Sequence, residues 1–205
     1  MNGEVALLGR RVVATDAVCV DGAPVGIAEA LEYKLLNKPS GVVSTAKDPH
    51  GRPTVVDLVP CASRIYPVGR LDAESEGLLI LTNDGPLAEY LMHPRGGVEK
   101  EYLVAIDRKA TPQLIGALRR GIEIDGELLI AKRVGQLSSH TLRIVLKQGR
   151  NRQIRRMIAA NGYEVTRLVR TRIGSLTDPA LPPGQSRDIT VDELIALRAG
   201  GRSAR

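Results

Sequence analysis

The acid-rich segment from Ile65 to Gly85 contains the residue types best suited to chemistry. Asp72 lies there between Arg70 and Gly77, with apolar runs on both sides. A carboxylate positioned between two packed segments can act as a nucleophile or as a general base. Asp also favours turns, because its side chain bonds nearby backbone groups. These residues alone therefore leave an ordinary solvated turn as the alternative.

Positive charge is concentrated in the C-terminal half of the chain. The 205 residues include 29 Lys and Arg against 23 Asp and Glu, which gives a formal net charge of +6. Between positions 147 and 172 one acid, Glu164, accompanies the cations Lys147, Arg150, Arg152, Arg155, Arg156, Arg167, Arg170 and Arg172. Cations that neutralise phosphates release condensed counterions. This density favours a nucleic acid as partner over a merely solvated basic face.

Several common chemistries have no motif in this sequence. It contains no Walker loop, no GxGxxG signature, no HExxH and no GxSxG elbow, which argues against nucleotide hydrolysis, redox cofactors, zinc proteolysis and serine esterases. Its three histidines are scattered, and its two cysteines lack metal-ligand spacing. Without an apolar run near the length of a membrane span or a secretory signal, the expected location is the cytoplasm.

The elements around Asp72 predict an α+β protein. The segment from Glu32 to Ser44 predicts a hairpin, since Pro39 and Gly41 suit its turn, and a loop is predicted to follow as far as Thr54. Helices are predicted to begin at Pro86 and Pro112 and after Thr190. Strands are predicted over positions 100–106, 122–124, 128–134, 141–146 and 164–173. Many strands in succession with few helices are typical of this class.

Positions 147–163, KQGRNRQIRRMIAANGY, predict a short helix capped by Asn151. On a helical wheel its apolar residues share one face, and Arg152 and Arg156 point away from that face. Arg155 lies on the shoulder, roughly 60° from the nearest apolar position. An arginine at the edge of a core is rarely left without a carboxylate partner. We therefore expect Arg155 to have such a partner.

The chain closely resembles the ribosomal pseudouridine synthases of the RsuA/RluB group over about residues 30 to 198. The motifs that carry the resemblance are YKLLNKPSGVVST, RIYPVGRLDAESEGLLILTNDG, HP, KEYLV, QGRNRQIRRM and RLVRTRIG, in the family's order and approximate spacing. GRLD followed by EGLLILTNDG is highly specific. NRQIRRM favours the large-subunit, RluB-type enzymes.

The resemblance implies an isomerase that converts a specific uridine of ribosomal RNA into pseudouridine, with no cofactor and no metal. It also implies the family's catalytic fold, a mixed, mostly antiparallel sheet with helices packed on it and an active-site cleft across the sheet. Asp72 matches the catalytic aspartate, Tyr102 the tyrosine that stacks on the target base, and Arg155 the basic partner of the aspartate. Together with the basic stretch, the resemblance makes these residues candidates for binding substrate: Lys38, Arg70, Arg150, Arg152 and Leu168.

Several alternatives stay open from the sequence. Asp72 could attack C1′ of the ribose, attack C6 of the uracil, or remove a sugar proton to form a glycal. The chain could instead modify small-subunit RNA, or be a non-catalytic RNA-binding or ribosome-assembly protein. A glycosidase using Asp72 is less supported, because its neighbours Glu74 and Glu76 are interpreted as turn residues rather than as an acid partner.

The domain organisation is predicted in three parts. Many members of the family begin with a separate RNA-binding domain, and residues 1–28 are interpreted as the closing segment of such a module. Residues 29–198 are predicted to form the catalytic domain, and residues 199–205 a flexible tail. A monomer is expected.

Overall fold

A computed structural model describes residues 1–13, 15–25 and 30–200 of the chain. Two compact units are present, Met1–Leu31 and Glu32–Arg205. The predicted domain boundary at residues 28 and 29, and residues 201–205 of the predicted tail, lie outside the described residues. The interpretation of the first unit as part of an RNA-binding module stays a prediction.

The first unit contains a short antiparallel pair, β1 (Val18–Val20) and β2 (Ala23–Val25). The strands of the second unit are β3 (Tyr33–Lys38), β4 (Tyr66–Pro67), β5 (Glu76–Thr82), β6 (Lys100–Ile106), β7 (Ile122–Ile124), β8 (Glu127–Leu129), β9 (Arg133–Gln136), β10 (Thr141–Leu146), β11 (Val165–Ile173) and β12 (Ser186–Asp188). Its α-helices are α1 (Gly85–Met92), α2 (Pro112–Arg120), α3 (Gln153–Ala159) and α4 (Val191–Gly200), and a 3-10 turn covers Pro94–Gly96. No helix among the described residues is long and apolar enough to cross a membrane.

One mixed sheet organises the second unit. Its strand order is β12-β3-β5-β11-β6-β10-β9, and β4 pairs with β5 beside this path. Within it, β11 and β5 run parallel, and the other strand pairs are antiparallel. The α+β class and the mostly antiparallel sheet are therefore confirmed. The hairpin of β7 and β8 stands outside this sheet.

Apolar faces of the helices bury against this sheet in separate cores. Leu114 and Leu118 of α2 join the buried residues of α3, β6 and β10 in one core. Leu87 and Leu91 of α1 pack with α4, β3 and β5 in a second core. α2 begins at the predicted Pro112 and α1 one residue before the predicted Pro86; the side chains of Thr111 and Asp84 cap them by accepting hydrogen bonds from N–H groups of the first turn. The capping box at Thr190 also forms.

The hairpin predicted after Lys38 is wrong. β3 pairs with β5 and β12, and Val43 makes only an isolated bridge to Thr54. Ser44 turns inward instead, where its Oγ accepts from the N–H of Leu71 at 3.1 Å and donates to the carbonyl of Leu71 at 2.9 Å. The segment after the turn therefore does not extend the sheet. Its Ser44 fixes the backbone of Leu71, the residue before Asp72.

The predicted start of α3 is also corrected. Arg152, not Asn151, occupies the N-cap position, with φ 47° and ψ 30° and no capping hydrogen bond from its side chain. A non-glycine residue in this left-handed region costs about 1–2 kcal/mol. Gln153 Oε1 accepts instead from the N–H of Arg150 at 3.2 Å, which fixes the turn before the helix but does not cap it. One further strand prediction, 128–134, is divided in the structure between β8 and β9.

Candidate active site

Asp72 lies in the tight loop that joins β4 to β5. Leu71, immediately before it, is buried in the same core as Tyr102 and Leu168. A turn closes after it, because the N–H of Ser75 donates to the carbonyl of Asp72 at 3.0 Å. The aspartate is therefore held between a buried anchor and a closed turn, and its side chain is 30% exposed.

A cavity of about 90 Å³ opens beside Asp72. Six residues predicted from the sequence lie on its wall: Arg70, Asp72, Tyr102, Arg150, Arg152 and Leu168. The wall is completed by Leu71, Ser75, Leu146, Gly149, Gln153 and Ile154. Residues from four separate segments of the sequence thus meet at one cavity.

Tyr102 and Leu168 form the buried side of this cavity. They stand on the neighbouring strands β6 and β11, and they are 7% and 6% exposed. A flat ring beside an aliphatic side chain suits a nucleobase, because any base can stack on an aromatic face. The arrangement can receive a base that has left its own stack.

Two arginines approach the carboxylate of Asp72. Arg155 Nε lies 3.9 Å from Asp72 Oδ2, and Arg152 Nη1 lies 3.5 Å from the same oxygen. The predicted proximity of Arg155 to Asp72 is present in the structure. Arg152, expected from the helical wheel to point away, is the nearer of the two because its left-handed backbone turns the residue out of the helical path.

Arg155 is fixed at the edge of the core, on the shoulder of α3. Its Nη1 donates to the carbonyl of Val165 at 3.3 Å, and its Nη2 to Ser75 Oγ at 3.4 Å. The remaining nitrogen, Nε, is buried and makes no hydrogen bond, although it forms an ion pair with Glu74 Oε1 at 3.2 Å. A guanidinium with one unused donor near two carboxylates has capacity for a further hydrogen bond in a complex.

Lys38 does not line the cavity in this structure, and its role in binding substrate stays a prediction. It is 0% exposed, and its Nζ donates to the carbonyls of Pro39 at 2.8 Å and Ala73 at 3.1 Å. Because Ala73 follows Asp72 directly, the lysine supports the loop that carries Asp72. Burial lowers the pKa of Lys38 to about 8, and the negative charges of Glu76 and Asp72 offset this only in part.

This lowered pKa predicts a pH dependence of stability. Below about pH 8 Lys38 is charged in both the folded and the unfolded chain, so its burial cost is fully present. Between about 8 and 10.5 the folded protein releases the proton first, so stability should rise with pH, by at most about 1.4 kcal/mol per pH unit. Urea unfolding of the wild type and Lys38→Met across this window measures the rise. Parallel curves for the two proteins would contradict the assignment.

The basic stretch is less open to phosphates than its sequence predicts. Arg156 is bound to Asp125 and Glu127, Arg167 makes two 2.8 Å hydrogen bonds to Glu76, and Arg172 pairs with two glutamates of the 99–101 region. Arg170 is buried, with 3% of its surface exposed. The carboxylates come from distant segments, so the local charge count overstates the free positive charge.

A second cavity of about 370 Å³ adjoins the first and shares Arg70, Leu71 and Asp72 with it. The loop predicted between the hairpin and Thr54 lines its far side with Lys47 and Arg52. A larger cavity of about 650 Å³ lies between α1 and α4, and none of its described lining residues carries a carboxylate. Volume alone therefore does not identify the site, whereas the convergence of charged and aromatic groups does.

Three residues of the site were missed or misread from the sequence. Glu74 was interpreted as a turn residue, yet its Oε1 lies 2.6 Å from Arg152 Nη1. Ser75 and Gln153 line the cavity with almost fully buried side chains. The two-residue spacing of Asp72 and Glu74 in the turn is the signal that could have indicated a second carboxylate for the arginines.

The sequence and the fold are similar to those of known proteins. The sequence model of a family described as RNA pseudouridylate synthase matches residues 32–160. The chain is 44% identical over 199 residues to a dual-specificity RNA pseudouridine synthase, RluF, of Salmonella typhi, covering 96% of this chain and 68% of that protein. It is 37% identical over 213 residues to a ribosomal large subunit pseudouridine synthase B of Xylella fastidiosa, covering 97% and 45% of the two chains. A crystal structure of a pseudouridylate synthase matches with a TM-score of 0.79 and 28% identity, over 96% of this chain and 86% of that chain.

Proposed function

Because the chain belongs to the RNA pseudouridylate synthase family, we propose that it converts a uridine of large-subunit ribosomal RNA into pseudouridine, with Asp72 as the catalytic carboxylate. The observation that carries this proposal is the meeting of Asp72, Tyr102 and two arginines at one cavity. The reaction is an isomerisation, in which the bond from C1′ to N1 of the uracil is exchanged for a bond from C1′ to C5. The large subunit is proposed because the Xylella relative is named for it.

The first requirement of this chemistry is a base outside its helix. Extruding a base costs a few kcal/mol, and stacking on an aromatic ring returns about 1–3 kcal/mol per base. Tyr102 offers that ring, and Leu168 beside it keeps water from the same wall. The proposed role of this pair is to hold the uracil with its glycosidic bond next to Asp72.

The second requirement is an ionised carboxylate at the reacting carbon. Three routes remain open: attack on C1′, attack on C6, or removal of a sugar proton to form a glycal. In each of them negative charge on Asp72 is used, and Arg152 and Arg155 stabilise that charge in a partly dry site.

The third requirement is containment of the detached uracil. Once the bond to N1 is broken, the ring must turn to present C5 and must not diffuse away. The cavity of about 90 Å³ has the buried side chains of Tyr102 and Leu168 in its wall, and this supports recapture of the uracil over its escape. We also propose that the enzyme acts in the cytoplasm. Its oligomeric state, predicted to be a monomer, stays a prediction.

Mapping of pseudouridines in ribosomal RNA from cells with and without the gene tests the function. We expect at least one uridine of the large-subunit RNA to lose its modification without the gene, and to regain it when the gene is restored. A loss of modification confined to small-subunit RNA would identify that RNA as the substrate instead. An unchanged map in both subunits would contradict the proposal.

A further inference from the structure

Glu74 lies closer to both arginines of the site than Asp72 does. Its Oε1 is 2.6 Å from Arg152 Nη1 and 3.2 Å from Arg155 Nε. Asp72 Oδ2 is 3.5 Å and 3.9 Å from the same two nitrogens. Each arginine therefore lies near both carboxylates, and its distance to Glu74 is shorter than its distance to Asp72.

The charge on Glu74 is present under ordinary conditions. The hydrogen bond from Arg152, together with the positive charge of Arg155, holds the pKa of Glu74 below its usual range despite some burial. Glu74 is thus a full negative charge that competes with Asp72 for the same donors. A guanidinium has a fixed number of N–H groups in a fixed plane, so a donor bound to one carboxylate is less available to the other.

The backbone of Arg152 adds a second observation. Its left-handed conformation, φ 47°, has no compensating cap at the start of α3, and such strain persists where the surroundings hold it. The short contact to Glu74 is one restraint that holds this side chain in place. The side chain is 44% exposed, so without that contact it has room to swing onto Asp72.

We propose that Glu74 is a positioning residue of the isomerisation, which binds Arg152 and Arg155 and so keeps them from closing on Asp72. This inference rests on the proposed function. A carboxylate in a tight, two-pronged pair with arginine must break hydrogen bonds before its lone pair can react. With Glu74 present, Asp72 keeps stabilising positive charge nearby and an oxygen free to attack or to accept a proton. An arginine closed on Asp72 would also narrow the entrance to the cavity.

The test compares single-turnover rates and KM of the wild type and four variants acting on unmodified large-subunit ribosomal RNA. Glu74→Gln should lower the single-turnover rate by about tenfold and leave KM within about twofold. Glu74→Asp, which keeps the charge, should recover most of the rate. Glu74→Gln combined with Arg152→Gln should react about as fast as Arg152→Gln alone, because the arginine that closes on Asp72 is then missing.

The control is Glu123→Gln, which removes an exposed carboxylate on β7 and should match the wild type. A Glu74→Gln enzyme with the wild-type rate would overturn the inference. So would a double variant that shows the product of the two single losses, or a Glu74→Gln protein that does not fold, since either result indicates a different role for this side chain. An inactive wild type would overturn the proposed function as well, whereas an active wild type with an unaffected Glu74→Gln variant would overturn the role of Glu74 alone.

Discussion

Asp72→Asn is expected to abolish pseudouridine formation, a loss of about 10⁴-fold or more in rate, in a protein that still folds. Asparagine keeps the size of the side chain but has neither the negative charge nor the basic lone pairs that any of the three routes needs. The hydrogen bonds that hold the loop involve the backbone of Asp72 and of Leu71, the latter bonded to the side chain of Ser44, and not the Asp72 carboxylate. Product analysis after long incubation of ribosomal RNA with excess enzyme measures the loss.

The matched control for this variant is Asp192→Asn, an exposed aspartate in the first turn of α4. It makes the same chemical change away from the cavity, and we expect near-normal activity. RNA binding by Asp72→Asn should be retained, because the cations around the cavity remain in place. Detectable turnover by Asp72→Asn at more than about a hundredth of the wild-type rate would show that another group performs the chemistry.

The second large effect is expected on stability, at Gly77. This residue has φ +104°, and a Cβ added to it would lie 2.2 Å from the carbonyl oxygen of Arg170 and 2.5 Å from its nitrogen. Because both atoms belong to the backbone of the paired strand β11, no side-chain rotation relieves the overlap. Gly77→Ala should therefore lower the free energy of unfolding by about 3–5 kcal/mol, the sum of overpacking and an unfavourable φ.

Gly126→Ala separates the two contributions. Gly126 has φ +74°, yet nothing lies within 4 Å of an added Cβ, so only the backbone cost of about 1 kcal/mol should appear. Urea unfolding at equilibrium gives both values. Equal losses for the two variants would show that the close approach of β5 to β11 is not a limiting contact.

Local features of this protein were predictable from its sequence. The capped starts of α1, α2 and α4 depend on residues within one turn of each other, and strands such as β6 show a clear alternation. The motifs also placed Asp72, Tyr102 and Leu168 together correctly, because family spacing reflects a shared fold. The helix starts and strands were predictable from interactions between residues close in sequence, and the site residues from the resemblance to the family.

Long-range choices of partner were not predictable in the same way. The turn after Lys38 favours a hairpin locally, but β5 competes successfully for the same strand edge. The sequence predicts Arg167 to be a free cation, but the fold pairs it with Glu76 on the neighbouring strand β5. The contact of Glu74 with Arg152 could not be predicted, because Arg152 lies 78 positions later in the chain. Such pairings depend on distances that only the folded backbone determines.

The central position of β11 has a consequence for how the protein becomes active during its synthesis. Among the described strands, β3 and β5 with the Asp72 loop form one half of the sheet, and β6, β10 and β9 with Tyr102 form the other. Each half is nearly continuous in sequence, so its contacts can form early. Within the sheet, β11 joins the two halves, and it is made after both. Contacts of high sequence separation form slowly. The cleft that contains Asp72 and Tyr102 is therefore expected to assemble in a late folding step. A chain whose synthesis has stopped before β11 would contain both residues but would not bring them together.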